Sequence, residues 1–365
     1  MKKIRNGIAI MLTVLLAFLL CSCAGNTDRA KNGVKITATD AKTEQTEEYN
    51  DAVFSMTIPK GWKVTCGGSD IYHSIRISDP DEPLNCMFVL LKADCLLHSQ
   101  EGKDAWKAVY NEGNRDAVIF ANAPVLEKPS TESFFKIFAQ YADMASKFEA
   151  AYVGYSFPHY DNFTVTDRFS GSGDMVKYSL GDEFLRATFT DNGRGEGMFS
   201  ASVVDFKESL YSDRTVADYG LESVDSGYYM AYNIVAITAA KDTFIEWEDL
   251  LTECLKTLKY SDIFENNIRG AIERDFFQAR CINQNFNQTM DGIMSSWDSR
   301  NKSIDIISQK QSDATLGYER VYDTRTKEIY RAAKGFTSSY KGKGYKPVTD
   351  DNMYTTPISG YIEKD

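Results

Sequence analysis

The side chains best suited to chemistry are spread unevenly along the 365 residues. The densest set is C-terminal: Trp297, Arg300, Tyr318, Arg320, Tyr322, Tyr330 and Arg331, followed by Tyr340 and Tyr345. Such residues bury a large area while keeping a polar handle, and they dominate protein-interface hot spots. The set is therefore a candidate interaction surface, for a protein or for sugar stacked on the rings. Alternating Tyr and Arg equally suit the two faces of an ordinary small sheet.

No catalytic constellation is written into the order of residues. Gly154-Tyr155-Ser156-Phe157 is not the G-x-S-x-G of a nucleophile elbow. His73, His98 and His159 are far apart, without H-E-x-x-H or Cys/His spacing, so no metal and no cofactor is expected. The glycines of 171–173 and 193–195 are turn formers without the strand-to-helix context of a phosphate loop. Asp and Glu total 52, so some pair must lie close. A glycosidase would need two of them in one cleft at a defined separation. Cys66, Cys86, Cys95, Cys254 and Cys281 are odd in number and form no C-x-x-C, which suits buried thiols with at most one pair.

One cysteine has a clearer role. Lys2, Lys3 and Arg5 precede an apolar run over residues 8–20. That run is shorter than the roughly 20 residues a membrane helix needs, and it suits a signal peptide. Leu20-Cys21-Ser22-Cys23 then resembles the lipobox of bacterial lipoproteins, with Leu at −3, a small residue at −1 and Cys at +1. The resemblance implies that residues 1–22 are removed and that Cys23 is acylated, palmitate being the expected label. Cys21 does not fit, because bulky Leu20 precedes it. It also implies a lipid-anchored location at the cell membrane, facing outside the cytoplasm. Two acyl chains turn weak, reversible binding into stable anchoring.

Composition is globular, with 43% hydrophobic and 25% charged residues. Loss of residues 1–22 removes three basic and no acidic side chains and moves the formal charge from −11 to −14. Residues 23–299 hold 26 basic and 43 acidic side chains, whereas 300–365 hold 12 and 9. An acidic body argues against nucleic acid, and the basic end suits anionic lipid or wall polymer.

The elements that must position these residues follow from periodicity. Residues 24–50 form a polar, flexible tether with room for one short edge strand near Val34 and Ile36. Phe54, Met56 and Ile58 share one strand face, Pro59-Lys60-Gly61 turns the chain as a type I turn with Pro at i+1 and Gly at i+3, and Trp62, Val64 and Cys66 alternate back. This hairpin resembles the opening of PsbP/Mog1-like domains. The resemblance implies an antiparallel sheet packed on helices, used as a binding or assembly module.

Further strands are expected over 71–78, 86–91, 163–169, 175–180, 184–190, 198–206 and 228–238. Helices are expected over 104–111, 129–152 and 242–258. The second is capped by Ser130 or Thr131 and carries Phe134, Phe135, Phe138, Tyr141 and Phe148 on one stripe. Residues 263–310 read as helical, followed by a strand pair around 318–332 and a last strand near 354–362.

The expected fold is α+β: a mostly antiparallel sheet with packed helices, then a helix-plus-β C-terminal region. The expected organisation is signal peptide 1–22, tether 23–50, main domain 51–262 and C-terminal domain 263–365. The expected function is a non-catalytic binding or assembly lipoprotein, whose partners are membrane lipid through Cys23 and an envelope protein or wall polymer. The alternative is a cell-envelope hydrolase acting on glycan or peptide.

Overall fold

The computed structural model describes residues 27–29, 35–40, 45–170, 180–206, 224–241, 243–272, 302–356 and 358–364. Two compact units emerge: residues 44–300, and a smaller one joining residues 1–43 to 301–365.

The chain opens with β1 (Thr27–Arg29) and β2 (Lys35–Asp40) of the smaller unit. The larger unit follows with β3 (Thr46–Asn50), β4 (Phe54–Pro59), β5 (Lys63–Gly67), β6 (Ser74–Ser78) and β7 (Cys86–Leu97). Next come α1 (Gln100–Asn111), α2 (Val118–Asn122) and α3 (Thr131–Phe148). Then come β8 (Asp161–Ser170), β9 (Gly181–Thr190), β10 (Arg194–Phe206) and β11 (Tyr228–Ala240). The unit's last described elements are α4 (Phe244–Lys256), β12 (Lys259–Tyr260) and α5 (Asp262–Ile272). Back in the smaller unit are α6 (Lys302–Leu316), β13 (Tyr318–Asp323), β14 (Ile329–Ala333), α7 (Phe336–Ser339), β15 (Tyr345–Pro347) and β16 (Ile358–Lys364).

The larger unit is built on an antiparallel sheet of order β5-β6-β7-β11-β10-β9-β8. β7 is buried along almost its whole length, as a central strand covered on both faces must be. On one face lies α3, whose Phe134, Phe135, Phe138 and Tyr141 are fully buried against Phe88, Leu90, Leu185, Phe199 and Ile234. Ser130 starts this helix: its Oγ accepts the Ser133 N–H at 3.1 Å. α4 packs on β11 and β10 and buries Phe244, Leu251 and Leu255. α1 buries Trp106 and Val109 with Cys95, Leu97, Met230 and Tyr232. The result is α+β with mostly antiparallel pairing, as expected.

Three expectations change. The 54–66 hairpin is not a hairpin. β4 pairs with β3 and β12 in a small sheet, whereas β5 pairs with β6 in the large one. The chain does turn: the Trp62 N–H donates to the Pro59 carbonyl at 3.2 Å. Gly61, with φ of 83°, takes the type II position that only glycine occupies freely, so the strands splay into different sheets. Residues 24–50, read as a tether, contain β1, β2 and β3. Their backbone polar groups find sheet partners, which a polar sequence alone does not reveal. Finally, α5 belongs to the larger unit: Phe264 stacks on Tyr260 at 4.8 Å and meets His73 edge-on at 5.1 Å. The unit border therefore falls near residue 300 rather than 263.

Candidate functional site

The central strand pair of the larger unit contains an irregularity that places polar groups in a hollow. Pairing between β7 and β11 joins Leu96 to Tyr229 and then Ala93 to Ala231. Asp94 and Cys95 thus oppose Met230 alone, a β-bulge. Bulges re-aim side chains, and they recur beside functional sites. Here the bulge turns Asp94 out of an otherwise buried strand.

Asp94 holds a compact network. The ammonium of Lys92, itself buried, lies 2.8 Å from Asp94 Oδ2. The Tyr72 hydroxyl donates to the same oxygen at 3.2 Å, and Lys92 Nζ lies 3.3 Å from that hydroxyl. The ammonium also sits over the Tyr72 ring, 5.1 Å from its centre, and 5.9 Å from that of Tyr232. Tyr152 fixes Tyr72 from below by donating to its backbone carbonyl at 2.6 Å. A buried lysine survives as a cation only when paired and solvated by such partners.

A second carboxyl faces this network. Glu149 caps the C-terminus of α3, where the helix dipole is negative. Its Oε1 is buried without a hydrogen bond. Desolvation first, and the Asp94 charge second, push its pKa up to about 8. Near neutral pH Glu149 therefore keeps its proton, beside the paired Lys92 and Asp94.

Asp94 and Glu149 share a cavity of about 680 Å³. Its other walls include Tyr72, Asp116, Ile119, Phe120, Phe148 and Tyr228. Phe120 and Phe148 are half-buried, Asp116 is exposed at the rim, and Cys95 lies at the floor as a buried thiol. Pockets of this kind, apolar-walled with a few convergent polar groups, are the usual sites for small ligands. The site was not foreseen from sequence. The available signal was Asp94 inside the apolar stretch 86–97.

The C-terminal residues fare differently. Arg320, Arg331 and Tyr330 are buried, at 4%, 3% and 6% exposure, and so do not form an exposed surface. Asp313 explains the arginines: its Oδ2 takes Arg320 Nε at 2.6 Å and its Oδ1 takes Arg331 Nε at 2.8 Å. Arg320 also stacks on Tyr354 at 4.7 Å and donates to its carbonyl at 3.1 Å. Tyr318 and Tyr322 are half-buried on β13. Trp297, Arg300, Cys23 and Cys281 lie outside the described residues. Cys66, Cys86, Cys95 and Cys254 are free thiols. Among the described residues no group of three or more His, Cys, Asp or Glu is placed to hold a metal, and no helix is long and apolar enough to cross a membrane.

No family model and no curated protein matches this chain. Among solved structures, the solution structure of cyanobacterial PsbP (CyanoP) from Synechocystis sp. PCC 6803 is similar at 11% identity. It aligns over 66% of this chain and 99% of its own, with a TM-score of 0.22. The likeness to PsbP is weak, and it says nothing about the pocket.

Proposed function

We propose that the protein is a lipid-anchored, extracytoplasmic binding protein whose ligand is a small organic cation held in the bulge pocket. The observation that carries this reading is the union of carboxylates and aromatic walls in one cavity. Three acidic side chains, Asp94, Asp116 and Glu149, line it. Of the cations nearby, Lys92 is already paired with Asp94, and Lys147 lies over the Phe148 ring. Half-buried Phe120, stacked on Trp106 at 4.6 Å, and Phe148, whose ring has the Lys147 ammonium 5.1 Å from its centre, are aromatic walls of the kind that attract ammonium groups. An ammonium on a wall polymer or a free metabolite meets the same chemistry. Anchoring rests on the lipobox at Cys23.

Choline and its neutral isostere 3,3-dimethylbutanol provide the test on the mature chain. Choline is expected to bind saturably and the isostere roughly tenfold more weakly, the difference that one solvated ion pair supplies. Asp94→Asn should weaken choline at both pH 6.5 and pH 9, and Glu149→Gln should weaken it at pH 9, above the Glu149 pKa of about 8. Equal binding of the two probes, or variants indistinguishable from wild type at pH 9, would sink the reading. Cys23→Ala should release the chain from membranes; retention with undiminished palmitate labelling contradicts the anchor.

One observation favours a second reading. Two carboxyl groups in one pocket, Asp94 and a Glu149 that holds its proton near neutral pH, are the kind of pair that glycoside hydrolysis employs. Turnover of envelope glycan that vanishes in Glu149→Gln would support a hydrolase; a chain that releases no reducing ends excludes it.

A further inference from the structure

The smaller unit is built around the first strands of the mature chain, and its strand directions place particular groups together. Its sheet order is β1-β2-β16-β14-β13-β15. β1 and β2 are antiparallel, as are β2 and β16. β16 and β14 are parallel, while β13 is antiparallel to both β14 and β15. It follows that β1, β16, β14 and β15 run one way and β2 and β13 the other. The first residues of β1, β14 and β15 point toward the same end of the sheet.

That end is basic. The β13–β14 turn, residues 324–328, carries exposed Arg325 and Lys327. The segment entering β15 carries exposed Lys341, Lys343 and Lys346. The two are bonded together: the Thr324 N–H donates to the Gly344 carbonyl at 2.7 Å, and its hydroxyl to the Lys343 carbonyl at 3.0 Å. Five basic side chains at this end face three acidic ones, Asp40, Asp323 and Glu328. Asp323 Oδ1 accepts the N–H groups of Arg325 and Thr326, and Glu328 accepts the Tyr330 hydroxyl. Asp40 ends β2 at this side. Across the smaller unit without residues 1–22, 15 side chains are basic and 11 acidic, against 23 and 41 in residues 44–300.

The chain enters β1 from this same side. Thr27 lies opposite Thr37, Thr37 opposite Glu363, and Ile362 beside Ala332. Thr27 is thus about four residues, or roughly 13 Å, up the sheet from the first residue of β14. Four residues separate Cys23 from Thr27, a reach of at most about 14 Å. The chain length therefore allows Cys23 to come level with the first residue of β14, in register with Lys346.

We propose that this end of the smaller unit, through Lys327, Lys341, Lys343 and Lys346, seats on anionic lipid headgroups beside the acylated N-terminus. The inference rests on the anchoring reading for its membrane, and on charge and strand direction for its face. The smaller unit thereby has a membrane-facing end of its own.

The test uses sedimentation of the full mature chain with vesicles of phosphatidylcholine alone or mixed with phosphatidylglycerol. Each basic side chain near an anionic surface contributes roughly a fivefold gain in partition at low salt. The fourfold variant K327Q/K341Q/K343Q/K346Q should lose the preference for phosphatidylglycerol. K334Q/K364Q, at the opposite end of the sheet, should keep it. A fourfold variant that retains the preference, a wild type without one, or its loss in K334Q/K364Q overturns the proposal. The mass of the N-terminal peptide reports acylation separately. An unacylated chain that still prefers phosphatidylglycerol through these lysines keeps the surface and removes only the anchor.

Discussion

At the scale of single residues, two buried titratable groups oppose each other in their effect on stability. Glu149 binds its proton more tightly folded, with a pKa near 8, than unfolded, where a carboxyl titrates near its ordinary value of 4.5. Between those limits the unfolded chain gives up its proton first, so folding stability is lost as pH rises. His73 behaves in the reverse sense. Packed among Phe54, Tyr260 and Phe264, its ring is desolvated and its pKa falls from 6.5 to about 4. Stability is lost there as pH falls below 6.5, because the unfolded chain takes up the proton. The two windows overlap between pH 4.5 and 6.5, where the slopes offset. Melting temperature should therefore be flat across that range and decline toward pH 8. Glu149→Gln should abolish the alkaline decline. A decline of equal size in the variant would place its origin elsewhere.

At the scale of elements, the same chemistry takes different roles according to what covers it. The sequence shows Arg320 and Arg331 alternating with tyrosines, a pattern shared by an interface and by a sheet with one buried face. α6 decides the matter by bringing Asp313 against both guanidinium groups. Asp313→Asn leaves two buried arginines without their shared counter-charge and should cost about 3–5 kcal/mol, read from urea unfolding. A loss below 1 kcal/mol would mean that water reaches the cluster. Local signals of the α3 kind were legible: a capping serine and an aromatic stripe at helical spacing fix both start and face. Asp191-Asn192-Gly193 likewise marks the β9–β10 hairpin, with Asn192 at a φ of 53°. Long-range choices were not legible. Residues 54–66 alternate as a hairpin should, yet β4 finds β12, some two hundred residues on. The pocket was hidden for the same reason. Lys92 and Asp94 are neighbours in sequence, but Tyr72 and Glu149 reach them only through tertiary packing and a bulge that periodicity does not encode.

At the scale of the whole molecule, the charge is divided between the two units: strongly acidic over residues 44–300 and mildly basic over 23–43 with 301–365. The basic side chains of the proposed lipid-binding end and the acidic side chains of the proposed cation pocket each lie in the unit whose net charge matches. The claim at the centre is that the bulge pocket binds an organic cation and that Glu149 sets how strongly. Choline keeps its charge at every accessible pH, so only the protein titrates in the comparison. Calorimetric titration of the mature chain with choline at pH 6.5 and pH 9 brackets the Glu149 pKa of about 8. Affinity should rise roughly tenfold at the higher pH, the effect of one added carboxylate in the pocket, and the rise should disappear in Glu149→Gln. An affinity that is unchanged or lower at pH 9, or a rise that survives in the variant, would contradict the account.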